Sequence, residues 1–200
     1  MDELTFNFGA KVHCLDSSFG SLTKLVVEPE NRRVVDLIAE NGFFVKRARV
    51  IPLSKISSMD EDGIYLGLTS EEMLTLPEYR ETTMERPADS NQSGAYVPTD
   101  TMTTAPLVPM VQETIREGVS PKLKVLSSHT AVENEGTTIG KIQAVQIGSA
   151  DHQINSIVVR HGLVFTEVES IPVHEIEHFA EEVVALRSPY TVPPTFAQKH

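Results

Sequence analysis

Residues 20–66 read GSLTKLVVEPENRRVVDLIAENGFFVKRARVIPLSKISSMDEDGIYL, and residues 140–186 read GKIQAVQIGSADHQINSIVVRHGLVFTEVESIPVHEIEHFAEEVVAL. The two stretches align at a constant offset of 120, without a gap over 47 positions. Seven positions are identical: Gly20/Gly140, Gly42/Gly162, Ile51/Ile171, Pro52/Pro172, Ile56/Ile176, Glu61/Glu181 and Leu66/Leu186. Many others exchange one apolar residue for another, such as Leu22/Ile142, Leu37/Ile157 and Phe43/Leu163. Matched Gly and Pro mark matched turns, so the offset defines an internal repeat in which each copy is one structural unit. Upstream, KVHCLD (11–16) is laid over KVLSSH (124–129). That alignment gives the second copy about seven extra residues around AVENEGTT and predicts a longer hairpin loop there.

Each copy reads as a series of strands. In the first, residues 20–28 are short and rich in strand formers and end in the turn EPENRR. Residues 33–40 follow and close on Asn41-Gly42, a hairpin signal. Then come VIPL (50–53) and GIYLGL (63–68), with the turn DEDG between them. Thr69 followed by Glu72 is a capping-box start for one short helix over 69–76. Short strands at this spacing point to a small barrel or sandwich. The middle of the chain, RETTMERPADSNQSGAYVPTDTMTTAPLVP, is rich in Pro, Thr and Ser, has no period, and reads as a flexible linker. The expected organisation is a first unit over 1–79, a linker over 80–117, a second unit over 118–190 and a loose tail over 191–200. Units of this size make small cores, so they are expected to pack on each other or to form homo-oligomers.

The first copy resembles the PRC-barrel family. The resemblance rests on the G-x-hydrophobic strand, the acidic-Pro turn, the V-x-x-L strand, the hydrophobic-Pro-hydrophobic strand, then D-G-I-Y-L and a short helix. The second copy matches more weakly but keeps Gly140, Gly162, Ile171 and Pro172. The resemblance implies a mostly β chain: two small antiparallel PRC-type β-barrels in tandem, each of about five to six strands, with a short helix after the first and the linker between. The family includes the cytoplasmic domain of the photosynthetic reaction-centre H subunit, the C-terminal domain of a ribosome-maturation factor, and many stand-alone prokaryotic proteins. Its members act mostly as docking or assembly modules and bring no catalytic set. The H subunit's membrane helix and the ribosome factor's other barrel have no counterpart here. The resemblance therefore implies a non-enzymatic protein-binding adaptor. An accessory factor in ribosome or RNA maturation, acting through a protein partner, is the alternative.

Composition narrows the partners. The net charge is −11, which argues against direct nucleic-acid binding. No stretch approaches the roughly 20 apolar residues of a membrane span. The opening MDELTFNFGA lacks the basic and apolar regions of a signal peptide. The single cysteine, Cys14, cannot form an internal disulfide and reads as a small core residue, so a reducing, cytoplasmic location is expected. No G-x-G-x-x-G or P-loop pattern occurs, and no cofactor is expected.

Two local motifs stand out. HEIEH (174–178) spells H-E-x-x-H, the signature of a metal-dependent hydrolase when it lies on a helix. The repeat places His174, Glu175 and His178 over Ser54, Lys55 and Ser58, after a strand and Ile-Pro, where no long helix is expected. Neither a third His nor a downstream Glu follows at ligand spacing. His174 and His178 therefore read as residues of a solvent-facing acidic turn and as weak metal candidates. The second motif is KRAR, containing Lys46, Arg47 and Arg49; the other copy has TEVE, with Glu167 and Glu169 beneath the two arginines. This reversal of sign is expected either to be two solvated hairpins or to hold barrel against barrel or chain against chain.

Overall fold

A computed structural model describes residues 3–42, 47–87, 110–161, 167–180, 182–188 and 190, with the side chains of 85–87 and 110–113 left aside. The first repeat contains β1 (Glu3–Asn7), β2 (Lys11–His13), β3 (Ser18–Glu28), β4 (Arg33–Asn41) and β5 (Arg47–Pro52). A 3-10 turn (Leu53–Lys55) leads to β6 (Ile56–Met59), β7 (Ile64–Leu66) and α1 (Ser70–Thr75). Then come β8 (Glu78–Pro87) and β9 (Met110–Glu117). The second repeat contains β10 (Lys124–Ser127), β11 (Ala131–Asn134), β12 (Thr137–Gly148), β13 (Ile154–His161) and β14 (Glu167–Pro172). A second 3-10 turn (Val173–Glu175) leads to β15 (Ile176–Phe179) and β16 (Val183–Leu186). The chain is mostly β. Among the described residues, no helix is long and apolar enough to cross a membrane.

The repeat holds at the level of single hydrogen-bonded pairs. Leu37 faces Ile51, and Ile157 faces Ile171. Ile56 faces Leu66, and Ile176 faces Leu186. The β3–β4 ladder shifts register between Leu22 and Lys24 and between Val26 and Val27; the β12–β13 ladder shifts between Ile142 and Ala144 and between Gln146 and Ile147. Such bulges bend a strand, so β3 and β12 curve at matching places. Gly20 and Gly140 lie where the ladders crowd. A Cβ on Gly20 would stand 2.0 Å from the Glu40 carbonyl oxygen, and one on Gly140 would stand 2.6 Å from that of Arg160.

The upstream alignment needs correction. β2 and β11 also sit 120 residues apart, since Val12 pairs in parallel with Ile64 and Val132 with Val184. The second copy therefore carries no insertion around AVENEGTT. KVLS (124–127) corresponds to residues 4–7 of β1 instead, and these two strands change places. β1 pairs with β12 of the second repeat, with Phe6 opposite Val145. β10 pairs with β3 of the first, with Leu126 opposite Leu25. Each repeat thus gives its first strand to the other, as in a domain-swapped dimer, but within one chain. A pseudo-twofold axis passes between Arg33 and Gln153, equivalent residues that form an isolated bridge. Its flanking bonds repeat each other: Val34 N–H donates to the His152 carbonyl and Ile154 N–H to that of Arg32.

The core follows from this exchange. One apolar cluster takes Phe6, Leu25, Leu37 and Ile51 together with Leu126, Val145, Ile157 and Ile171. The two repeats bury a common interior, which relieves the small-core problem that each would face alone.

Two expectations about the sheets change. The strands form a seven-stranded sheet ordered β14-β13-β12-β11-β16-β15 with β1 on β12, and a nine-stranded sheet ordered β6-β7-β2-β3-β4-β5-β8-β9 with β10 on β3. Among the described residues, neither order closes on itself through hydrogen bonds, and each contains one parallel pair. The residues expected to form a linker contribute two strands, because β8 and β9 pair over Arg80–Pro87 and Met110–Glu117. Residues 88–109 and 191–200 lie outside the described residues, as does Phe43 of the Phe43/Leu163 match. The predicted helix forms with the complete capping box: Glu72 N–H donates to the Thr69 hydroxyl, and Thr69 N–H donates to the Glu72 carboxylate.

Candidate functional site

The strand exchange leaves a gap along β3. One edge of β3 pairs with β2 as far as Ser21, and with β10 from Lys24 onward. At Thr23 the two partners diverge, and a cleft of about 720 Å³ opens there. Its floor includes Leu22, Thr23 and Lys24; one wall is the turn Ser127–Thr130, and the other is the inner face of β8 and β9.

Strand alternation gives the β8–β9 arm two faces. Tyr79, Glu81 and Thr83 face inward. The Glu81 carboxylate receives Lys24 Nζ on one oxygen and Arg116 Nε at 3.1 Å on the other. Lys24 Nζ lies 5.1 Å from the centroid of the Tyr79 ring. Burial pushes Glu81 towards the neutral form, but the hydrogen bond and charge of Lys24, with Arg116, outweigh it and hold the carboxyl below its usual range. Burial pushes the Tyr79 phenol up. This cluster clamps the arm to β3. The outer face carries Thr82 opposite Ile115, with Met84 two residues on, so Met84 and Ile115 are diagonal neighbours. They are 48% and 44% exposed. Among the described residues, the backbone of β8 pairs with β5 only through Glu78 and Tyr79, opposite Arg49 and Ala48. Beyond that point the arm is two-stranded, and β9 is the edge of the nine-stranded sheet.

The predicted site residues do not gather into one place. Lys46 lies outside the described residues. Arg47 is exposed at the start of β5. Arg49 donates to the Leu76 carbonyl at 3.0 Å, tying β5 to the end of α1. Glu167 is exposed at the start of β14. Glu169 is buried; it accepts from the Tyr190 hydroxyl at 2.5 Å and lies 3.2 Å from His161 Nε2. His161 Nδ1 is 2.6 Å from the Ile139 carbonyl, which can only accept, so that nitrogen carries a proton. Burial and the Glu169 bond push the Tyr190 phenol well above its usual range. Among the described residues no ion pair joins the KRAR run to Glu167 or Glu169. The exchange of strands, the common core and the bridge at Arg33 and Gln153 join the repeats instead.

HEIEH forms no helix. Val173–Glu175 is a 3-10 turn and Ile176–Phe179 is a strand, so the two histidines lack the shared helical face that the metalloprotease motif needs. His174 is exposed and lies 3.5 Å from its neighbour Glu175. His178 is exposed on β15, and no group of three metal-ligating side chains occurs among the described residues. The segment does hold one contact that sequence reading missed. Arg32, from the first repeat, donates to the carbonyls of Val173 at 2.8 Å and Ile176 at 3.1 Å. Arg32 lies in the EPENRR turn at φ +52°, and its counterpart His152 has φ +58°. Cys14 is 8% exposed within the core, and its thiol is pushed up by burial and by Asp16.

No family model matches the chain, and no curated protein matches it.

Proposed function

We propose that this chain is a non-enzymatic docking module that receives a protein partner on its β8–β9 arm. The observation that carries the proposal is the form of the arm: two strands, no further strand on the far side of β9 among the described residues, and Met84 beside Ile115 on the outer face. An open edge can pair with an incoming strand, and adjacent apolar side chains give that strand something to cover. The inner face is already engaged by Lys24, Glu81 and Arg116, so the arm is braced in a fixed direction. A preset arm loses less freedom on binding than a free segment.

The resemblance to the PRC-barrel family belongs to the same proposal. In this reading each repeat is a PRC-type barrel whose wall is completed by a strand from the other. Identical strand orders in the two repeats and the core that they share support it.

The experiment is a capture from lysate of the source organism, using the full chain and the variant M84K/I115K. A protein retained by the wild type and lost by the variant, with unchanged thermal unfolding, is the expected result. Retention of the same set by both proteins refutes docking on the arm.

A further inference from the structure

The two halves are each other's control, and at one place they differ. In the second repeat the 3-10 turn is covered by Arg32, whose guanidinium satisfies the Val173 and Ile176 carbonyls. The equivalent turn in the first repeat carries Leu53 and Ile56, and the residue equivalent to Arg32 is His152. The imidazole is shorter and has no side-chain hydrogen bond among the described residues. A cavity of about 200 Å³ lies there, lined by His152, Leu53, Ile56, Met59 and Leu4 among others. Its openness shows in the burial: Ile176 is fully covered and Phe179 is 5% exposed, whereas Ile56 and Met59 remain half-buried.

We infer that this cavity binds a guanidinium group, placed as Arg32 places its own in the other repeat. The backbone supports the assignment. The Leu53 carbonyl accepts from Ile56 N–H as the Val173 carbonyl accepts from Ile176 N–H, so both turns present the same acceptors to a planar cation. A guanidinium donates two parallel N–H groups, which fits two carbonyls one turn apart; an ammonium is a point donor and does not. Leu4 and Met59 offer an apolar wall for a methylene stem. Leu4 stands where the second repeat has Lys124, so the open site lacks that cation. The net charge of −11 favours a cationic ligand. The volume suits one arginine side chain rather than a larger molecule.

The test is an NMR titration of the full chain with N-acetyl-arginine N-methylamide, free arginine and N-acetyl-lysine N-methylamide. Both arginine compounds are expected to shift the amides of residues 53–59 and 149–153 saturably, while the lysine compound leaves them unmoved. Tighter binding of the blocked compound identifies a protein side chain as the natural ligand; tighter binding of free arginine identifies a small molecule. The variant H152R supplies the chain's own guanidinium at a position whose twin already holds arginine at a similar φ. It is expected to bind at least tenfold more weakly. Absence of saturable shifts in the wild type overturns the inference, as does an equal response to lysine or undiminished binding in H152R.

Discussion

Truncating Phe6 to alanine perturbs the strand exchange at its centre. Phe6 belongs to the first repeat by sequence, yet it pairs with Val145 and is fully buried in the common core. Removing a buried Phe side chain costs about 3–5 kcal/mol, from lost transfer energy and the cavity left behind. A domain of this size has about 5–15 kcal/mol in total, so about a fifth or more of the stability is removed. At about 2–4 °C per kcal/mol, the melting temperature is expected to fall by about 6–20 °C. The location of the effect matters more than its size. Hydrogen exchange should accelerate first in β12, at residues 144–148, which lie in the other repeat. Far-UV circular dichroism should still show one transition, because both halves share the core. Two separable transitions, with only the first-repeat amides loosened, would refute the reasoning. A loss below about 1 kcal/mol would do the same, since a fully buried Phe in a packed core cannot be so cheap.

Further tests follow from single contacts. Gly20→Ala and Gly140→Ala each drive a Cβ into a backbone carbonyl, at 2.0 Å and 2.6 Å, and should cost about 1–3 kcal/mol by urea unfolding, with Gly20 the more sensitive. Gly136→Ala is the comparison, because its site is open and only its φ of +76° opposes the change. Thr69→Ala removes the cap of α1 and should cost about 1 kcal/mol in the same assay. Lys24 and Arg116 hold Glu81 below the usual carboxylate range, so its contribution is complete above that range and is lost as pH falls through the lowered folded value. Glu81→Gln should therefore reduce stability near neutrality and flatten the acid limb of the stability–pH profile. A parallel fall in wild type and variant below pH 4 would remove Glu81 from that role.

Much of the strand framework was legible because its signals are local. Pro52 and Pro172 end equivalent strands before equivalent 3-10 turns, and β5 and β14 occupy equivalent residues at the 120 offset. Thr69 and Glu72 announced a helix start through a contact only three residues long. The exchange of β1 and β10 was illegible for the opposite reason. TFN and VLS share no residue, and their partners lie about a hundred residues away or more, so no local pattern links them. That gap allowed KVLS to be matched with KVHC. The arm was missed because RETTMER and the residues around Ile115 are rich in Thr and Glu, a composition shared by loops and exposed two-stranded ribbons. The site beside His152 was hidden for a subtler reason. Arg32 and His152 both take a positive φ, +52° and +58°, and only knowledge of what Arg32 touches turns their difference in side chain into a cavity. HEIEH misled in isolation because its informative residues are Ile171, Pro172 and Ile176 around the histidines.

Reciprocal strand donation within one chain is tested most directly by a covalent staple between its partners. Thr5 faces Gln146 across the β1–β12 ladder. Opposed residues in an antiparallel pair lie about 4.5–5.5 Å apart at Cα, within disulfide reach. The variant T5C/Q146C/C14A, with a protease site placed between residues 88 and 109, is oxidised as a monomer and cut. One band without reductant that becomes two with reductant is the predicted result. Two bands without reductant, or disulfides only between chains, would contradict it.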